Sequence, residues 1–525
     1  MKKNIFFTNI REKILILVLI VFSLLINQYY GNQGVFPIDS FLHFDTGYRI
    51  LNGEKPFSDF WTVSGPLVNY IQAIFFYTFG INWSSYVLHA SVINALATIF
   101  TFFVLKNFGL DKNFCFLYSI LFSILAYPSS GTPFVDHHST FFSLFGVYSL
   151  LLAISNKERI YWILIPIFLG LAFLSKQVPA LYIILSILII LSVFSFQNKT
   201  WIYIIYIISS SVAFIFIILI FGKFQEIEIL SFFNQYIFYP QTIGSERFAN
   251  FNLNLFAIVD HFKFIFIAII PLIYFNFKKI ISVKKYFRSN EFYTIFILLF
   301  LTFSLILHQL LTKNQTFIFF LIPILTGFSH IALKSINFKF KNFIYIIIIF
   351  ICVFAVLKYH FRFNENRKFH ELANVDIRLS KSAEVIDKKL KRLNWITSEF
   401  DKRPDTEIKK INEIKLHLEE EKRSKMLITN YTFFSVILEE NLFSPSWAFA
   451  GDGTTHPMKG NKYAENYKKL MINIIKKNKI QVIYIAGSLE DEHIYNYISK
   501  NCFKKHLVTD HLKRFELIKC KEISG

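Results

Sequence analysis

Cysteine is scarce in this chain: Cys115, Cys352, Cys502 and Cys520 are the only four among 525 residues. Their separations match no thiolate metal motif, which excludes a cysteine-built zinc or iron–sulfur site. Cys115 and Cys352 fall in apolar runs and read as small buried or lipid-facing residues. Cys502 and Cys520 lie in a polar tail, where an oxidising compartment would let them pair. There is no glycine-rich phosphate loop and no internal repeat, so a P-loop nucleotide site and a repeat architecture are set aside. The first apolar run has a basic front (Lys2, Lys3, Arg11, Lys13) but no small-residue cleavage site behind it. More apolar runs follow, so it reads as an uncleaved first helix. Acids are few beside bases, 36 against 56, for a formal net charge of +20. Such a balance can mark nucleic-acid binding, but bases in short loops between apolar runs are first of all orientation signals.

Apolar residues are what the chain has in excess. It is 54% hydrophobic and 18% aromatic, with 65 Phe and a mean hydropathy of +0.43. A soluble domain of this size does not need so much apolar surface. The excess is confined to residues 1–360, while 361–525 have ordinary soluble composition. The expected fold class is therefore a polytopic α-helical membrane domain, 1–360, followed by a C-terminal α/β domain, 361–525.

A spanning helix needs roughly 20 apolar residues. Eleven candidates are read at 13–30, 83–105, 113–128, 138–155, 160–175, 178–196, 201–221, 257–276, 292–312, 315–333 and 342–360. The pair 160–196 turns tightly at Ser175-Lys176-Gln177. With the N-terminus inside, the inner connections at 106–112, 155–159, 196–200, 276–288 and 334–341 are all basic. The outer ones, 31–66, 127–138, 175–178, 222–256 and 311–315, carry few bases for their length. The positive-inside rule then puts the tail outside, which in a Gram-negative bacterium is the periplasm. Acids obey no such rule, yet Asp39, Asp45, Glu54, Asp59, Asp136, Glu226, Glu228, Glu246 and Asp260 all gather on or beside the outer connections. A polar outer cavity with acid chemistry accounts for that.

The first outer loop is structured. Residues 45–52 read as two helical turns with Asp45 near the start, Gly53 ending them and Pro56 preventing continuation. Ser64-Gly65-Pro66 starts a second helix, with Ser64 as cap and Pro66 in its first turn. Both are expected to lie along the membrane face. In the tail, 365–425 reads as mostly helical and charged, and 425–431 and 481–487 as buried strands. Helices are expected after each of these strands, one of them amphipathic at 463–478, and then a terminal strand pair.

The run Asp45, Tyr48, Asn52-Gly53-Glu54-Lys55-Pro56-Phe57-Ser58-Asp59-Phe60, then Gly65-Pro66-Leu67, resembles the first outer loop of GT-C-type integral membrane glycosyltransferases. That superfamily includes lipid A aminoarabinose transferases, protein O-mannosyltransferases and Rgt-type sugar transferases. Residues 170–190, GLAFLSKQVPALYIILSILII, resemble their Gly…Lys-Gln segment. The resemblance implies transfer of a sugar from a polyprenyl-phosphate donor to an acceptor on the outer membrane face, here an envelope glycan, lipid or protein.

Such transfer needs a base for the acceptor hydroxyl, a cation for the departing phosphate and an apolar groove for the prenyl chain. Asp45 matches the family's first-loop acid and is the candidate base. The alternative is that it only caps its short helix. Lys176 is the candidate phosphate cation, or a lysine snorkelling at a tight turn. Arg247 is a second phosphate candidate, or a loop arginine paired with Glu246. Arg49 points the same way or pairs with an acid. Asp136, His137, His138, Tyr48 and Gln177 are candidate cavity or acceptor residues, Asp136 alternatively capping the fourth span. Asp45, Asp136 and His137 together are a possible Mg²⁺ or Mn²⁺ site, which the resemblance allows. His308 reads as a satisfied core residue, with Lys313 just beyond its helix. Residues 451–457, GDGTTHP, read as a plain polar loop, and Asp39 and Asp59 as solvated acids. Two rival classes stay open: a lipid-linked glycan flippase, which midplane charges would mark, and a non-catalytic envelope assembly protein.

Overall fold

The computed structural model describes residues 10–127, 131–249, 254–312, 317–334, 340–366, 372–373, 375–518 and 520–524, with the main chain alone at 245–249, 341, 521 and 524. In chain order the helices of its first part are α1 (Ile10–Gly31), α2 (Leu42–Leu51), α3 (Leu67–Phe79), α4 (Trp83–Asn107), α5 (Lys112–Ala126), α6 (Val135–Asn156), α7 (Arg159–Ser175), α8 (Gln177–Asn198), α9 (Ile202–Phe224), α10 (Ile229–Phe232), α11 (Tyr239–Ala249), α12 (Leu255–Ser282), α13 (Asn290–Thr312), α14 (Leu321–Lys334) and α15 (Lys341–Tyr359). The tail adds β1 (Lys381–Ser382), β2 (Asn394–Trp395), α16 (Pro404–Glu420), β3 (Lys425–Thr429), α17 (Phe434–Leu438), α18 (Ala464–Lys477), β4 (Val482–Ala486), α19 (Glu492–Tyr495), β5 (Phe503–Thr509), β6 (Leu512–Leu517) and α20 (Lys521–Ser524).

Every expected span is a helix: α1, α4 to α9 and α12 to α15. Among the described residues, eight helices are long and apolar enough to cross a membrane, the last of them Asn342–Glu365 with its π-helical end. The other three, α5, α7 and α14, have 15, 17 and 14 residues, short of the roughly 20 that a full crossing takes.

Two compact units form, and they cut across chain order. One comprises Met1–Gly31, Ala90–Ile217 and Asn250–Phe369. Here α6 is the central helix, buried over all its residues but the last two. It packs on α7 and α8, and α8 packs on α13. The approach of α6 to α7 depends on Gly146, where a Cβ would stand 2.9 Å from a Leu169 methyl. By contrast, α9 is apolar on every side and buries only Ser210. A helix with that surface suits a lipid surrounding rather than water.

The other unit comprises Asn32–His89, Ile218–Ala249 and His370–Gly525. Its sheet has the order β3-β4-β6-β5. β3 and β4 are parallel, and β6 is antiparallel to both β4 and β5. All residues of β3 and β4 are buried, because alternate side chains enter two different cores. Leu427, Val482, Tyr484 and Ala486 join α16 and the first-loop residues Phe41, Phe44 and Tyr48. Met426, Ile428, Ile483 and Ile485 join α18 and Trp61. Each fully buried large apolar side chain contributes about 1.5–3 kcal/mol, so first loop and tail stabilise one another. A Cys502–Cys520 disulfide ties the end of the tail.

Three expectations change. The second loop helix starts at Leu67 with Pro66 at its N-cap and no side-chain cap; the Ser64 hydroxyl, buried, makes no hydrogen bond. Residues 375–425 hold one long helix, α16, with the short pair β1–β2 and several 3₁₀ turns before it, because Asp376, Ser382 and Asp387 each cap a 3₁₀ turn instead of extending a helix. The two loop helices also differ from each other. α2 is buried from Leu42 to Arg49 under the tail. α3 buries Asn69 and Gln72 beside Val68 and Phe76, while Ile74 and Tyr77 are 61% and 82% exposed. That apolar outer face is what a helix on a membrane surface needs.

Candidate functional site

In the unit of first loop and tail, buried charge concentrates around α2. Gly53 takes φ +89° directly after the helix, a conformation glycine adopts without strain. The chain thereby turns back, and Glu54 meets Arg49. Arg49 Nε and Nη2 donate to Glu54 Oε2 at 2.9 and 2.6 Å. Nη2 also donates to the Ser444 carbonyl at 2.7 Å and Nη1 to that of Ser446 at 3.5 Å. The Phe60 ring lies under the guanidinium, 4.2 Å from its centroid. The run from Asn52 to Phe60 is thus the frame of one buried arginine, and Arg49 is paired with an acid rather than offered to a ligand.

Asp45 is one helical turn earlier and is 2% exposed. Its Oδ2 lies 3.8 Å from Arg49 Nη1, and its Oδ1 accepts from the Ser435 hydroxyl of α17. It caps nothing: the N-cap of α2 is Phe41, without a side-chain bond. Burial pushes the carboxyl up to about 7, against the opposing pulls of Arg49 and the Ser435 hydroxyl. Two forces explain this. Arg49 is largely neutralised by Glu54, so the desolvated Asp45 lacks a full counter-charge. Glu54 itself is raised by burial, against Arg49. His43, two residues before Asp45, is lowered to about 4 by burial and hydrogen-bonds Asn69 Oδ1 through Nδ1 at 2.6 Å; it is neutral at pH 7. Tyr48 is buried in the same unit, and burial raises its hydroxyl to about 12.

The helical unit has its own cluster. Lys176 stands between α7 and α8 in an extended conformation, which frees its side chain from either helix. Its Nζ donates to both oxygens of Asp136, at 2.8 and 2.7 Å. Asp136 lies in the first turn of α6, and His308 Nε2 of α13 is 3.4 Å from its Oδ1. Asp136 is not the helix cap, which is Phe134; it is the counter-ion of Lys176. Ser139 Oγ donates to the Lys176 carbonyl at 3.1 Å and fixes the turn. Lys176 keeps 21% of its side chain exposed against 1% for Asp136. Sequence reading missed His308 as a member of this group, since a lone histidine late in an apolar helix carries no signal of its partner. It also missed Glu12, fully buried in α1 and paired with Lys106 and Lys112.

The remaining expected residues disperse. His138 Nδ1 is 3.0 Å from the Phe134 carbonyl and 3.2 Å from the Tyr127 hydroxyl. Neither ring nitrogen of His137 has a hydrogen-bond partner, and its ring stacks on Tyr127 at 4.9 Å. Gln177 opens α8. Arg247 lies on α11, a helix rather than a loop, and its side chain, like all of Lys313, is outside the described residues. Asp59 is held by Lys477 at 2.6 Å instead of being solvated. His456, in the supposed plain loop, is fully buried and faces His493 at 3.4 Å. Among the described residues, no three of His, Cys, Asp and Glu are grouped to hold a metal. Both oxygens of Asp136 accept from Lys176.

No family model and no curated protein matches the chain. Two crystal structures are similar over 96% of this chain and 97% of their own: ArnT from Cupriavidus metallidurans bound to undecaprenyl phosphate, at 9% identity and a TM-score of 0.44, and the same protein in the apo state, at 9% identity and 0.47.

Proposed function

We propose that this chain is a membrane glycosyltransferase of the GT-C kind. It moves a hexosyl- or pentosyl-type sugar from a polyprenyl-phosphate donor to an envelope glycan, lipid or protein, as in lipopolysaccharide assembly. The reaction takes place on the outer face of a bacterial inner membrane, with the N-terminus cytoplasmic and the tail outside. The observation that carries this reading is Asp45: a buried carboxyl on the first-loop helix, held at about 7, where it can take up a proton and give it back. As base it accepts the proton of an acceptor hydroxyl. The oxygen bonds the anomeric carbon, and the sugar–phosphate bond breaks to release polyprenyl phosphate. The Ser435 hydroxyl already donates to Asp45 as an acceptor hydroxyl would, so Ser435 yields that place to substrate. Lys176 and Arg247 are the residues proposed for the donor phosphate, and Asp136, His137, His138, Tyr48 and Gln177 those proposed for the cavity or the acceptor. A flippase gains no support, since Asp136 and Lys176 stand at helix ends rather than mid-helix.

The test is Asp45→Asn in purified full-length protein given a polyprenyl-phosphate sugar. Loss of about 10²–10⁴ in turnover is expected. Full turnover by the variant overturns the role of Asp45, and no turnover by wild type with any such donor overturns the enzyme. The proposed use of Mg²⁺ or Mn²⁺ is tested in EDTA: turnover that is lost and then restored by either ion supports it, and unchanged turnover overturns it.

A further inference from the structure

At the ends of four helices in the helical unit, cations outnumber acids. Glu12 lies in the first turn of α1 and is fully buried. Its Oε1 takes the ammonium of Lys106, in the last turn of α4. Its Oε2 takes that of Lys112, the first residue of α5, at 2.6 Å. Arg11, beside Glu12, donates from Nη2 to Asn113 Oδ1 at 3.2 Å. Lys334, the last residue of α14, is 3.5 Å from Asp111. Arg11, Lys106, Lys112 and Lys334 thus stand with only Glu12 and Asp111, a surplus of two positive charges. We propose that this end of the helical unit binds the headgroup of an acidic phospholipid, whose acyl chain lies along α1. Placing that lipid in the inner leaflet rests on the orientation proposed above.

Three observations support this. First, the cations are gathered and offered. Orientation by charge needs lysines and no acid, so Glu12 requires a reason of its own. One carboxylate balances one ammonium, and Glu12 holds two. Lys106 and Lys112 keep 26% and 39% of their side chains exposed, against none for Glu12. The acid is hidden while its cations are not. Each ammonium has three N–H groups and gives one to Glu12, which leaves donors for a phosphate. Their side chains are already held, so less rotamer freedom is lost on binding.

Second, the cationic end continues into an apolar stripe. Arg11, Ile14, Val18, Val21 and Leu25 follow one another along α1 at helical spacing, and all are exposed. A free phosphate would use only the charged end, whereas a phospholipid uses both. Third, the charges lie at headgroup depth. Glu12, Lys106, Lys112 and Lys334 are all within one turn of the ends of apolar helices. Basic pockets between such helix ends take acidic lipid headgroups.

The experiment is native mass spectrometry of purified full-length protein in a neutral detergent. Phosphatidylglycerol or phosphatidylcholine with the same acyl chains is added, and retained lipid is counted. Phosphatidylglycerol should be retained, less so at high salt, and should raise the melting temperature; phosphatidylcholine should do neither. Lys112→Gln leaves Glu12 paired with Lys106 and should weaken phosphatidylglycerol binding about fivefold, equal to about 1 kcal/mol. Lys284→Gln, at an exposed lysine of the connection 276–288, should leave it unchanged. Should Lys112→Gln fail to fold, labelling of wild type by phosphatidylglycerol with a photoreactive headgroup replaces it, and the label should fall within 10–13 and 106–113. Equal retention of the two lipids, equal binding by Lys112→Gln and Lys284→Gln, or label confined to other segments overturns the proposal. Displacement by millimolar inorganic phosphate overturns the lipid as occupant. Binding in detergent is read without reference to orientation, so a reporter that puts the N-terminus outside would remove the inner leaflet and leave the site.

Discussion

Arg49 and Lys176 are both cations placed among acids, one in each compact unit, and they are treated differently. Arg49 is 2% exposed, gives two N–H groups to one oxygen of Glu54 and others to two carbonyls, and lies over a ring. Nothing of it is left for a ligand, and the acid beside it, Asp45, is left short of counter-charge. Lys176 has one carboxylate, shared with His308, and keeps a fifth of its side chain in the open. Asp136 is thus matched where Asp45 is not. The fork of guanidinium makes a rigid frame, whereas the point charge of an ammonium can exchange one anion for another. One unit is built to perturb an acid, the other to lend a cation.

The largest effect that could break this comparison is at Arg49. Arg49→Met leaves Glu54 and Asp45 buried without their cation, and should destabilise by about 3–5 kcal/mol, read as a lower melting temperature in detergent. A variant as stable as wild type would mean that the frame is not needed. Next comes Asp136→Asn, which removes the competitor for Lys176. If Lys176 holds the donor phosphate, KM for the polyprenyl-phosphate sugar should fall about tenfold, about 1.4 kcal/mol; an unchanged KM would reduce Lys176 to a partner of Asp136. The smallest is Ser435→Ala. The Ser435 hydroxyl pulls the Asp45 carboxyl down, so its loss should raise that pKa further. Turnover that needs the carboxylate rises with pH through about 7, and the variant should move that limb to higher pH. Stability carries the opposite sign. A carboxyl raised from 3.8 to about 7 binds more proton folded than unfolded, so its share of stability is present below pH 4 and lost as pH rises through about 7. Asp45→Asn should therefore melt higher than wild type at pH 8, where a helix cap would melt lower.

Much of this was legible in the chain. Eleven apolar runs became eleven helices because spans write their length and hydropathy directly into sequence. Strands β3 and β4 were legible as continuous apolar runs, and Gly53 and Pro56 as the end of α2. The misses among the buried charges share one cause, a partner far away in the chain. Asp45 could be read as a cap because its real partner, Ser435, is 390 residues on. Asp136 could be read as a cap until Lys176 and His308 met it. The basic residues Lys106 and Lys112 were read for orientation alone, while the structure also pairs them with Glu12. Polar and charged side chains have many alternative partners of similar energy, and local pattern does not choose among them.

The sequence by itself determined which segments are apolar enough to be helices in a membrane, where the polar loops fall between them, and that the tail alternates strand and helix. These follow from hydropathy and turn chemistry, which act over a few residues. Only the tertiary structure decided that α2 is enclosed by the tail, that Arg49 is spent on Glu54, and that Asp45 is left buried beside it with a carboxyl near 7. Those follow from desolvation and ion pairing, which depend on what the whole fold brings within a few ångströms.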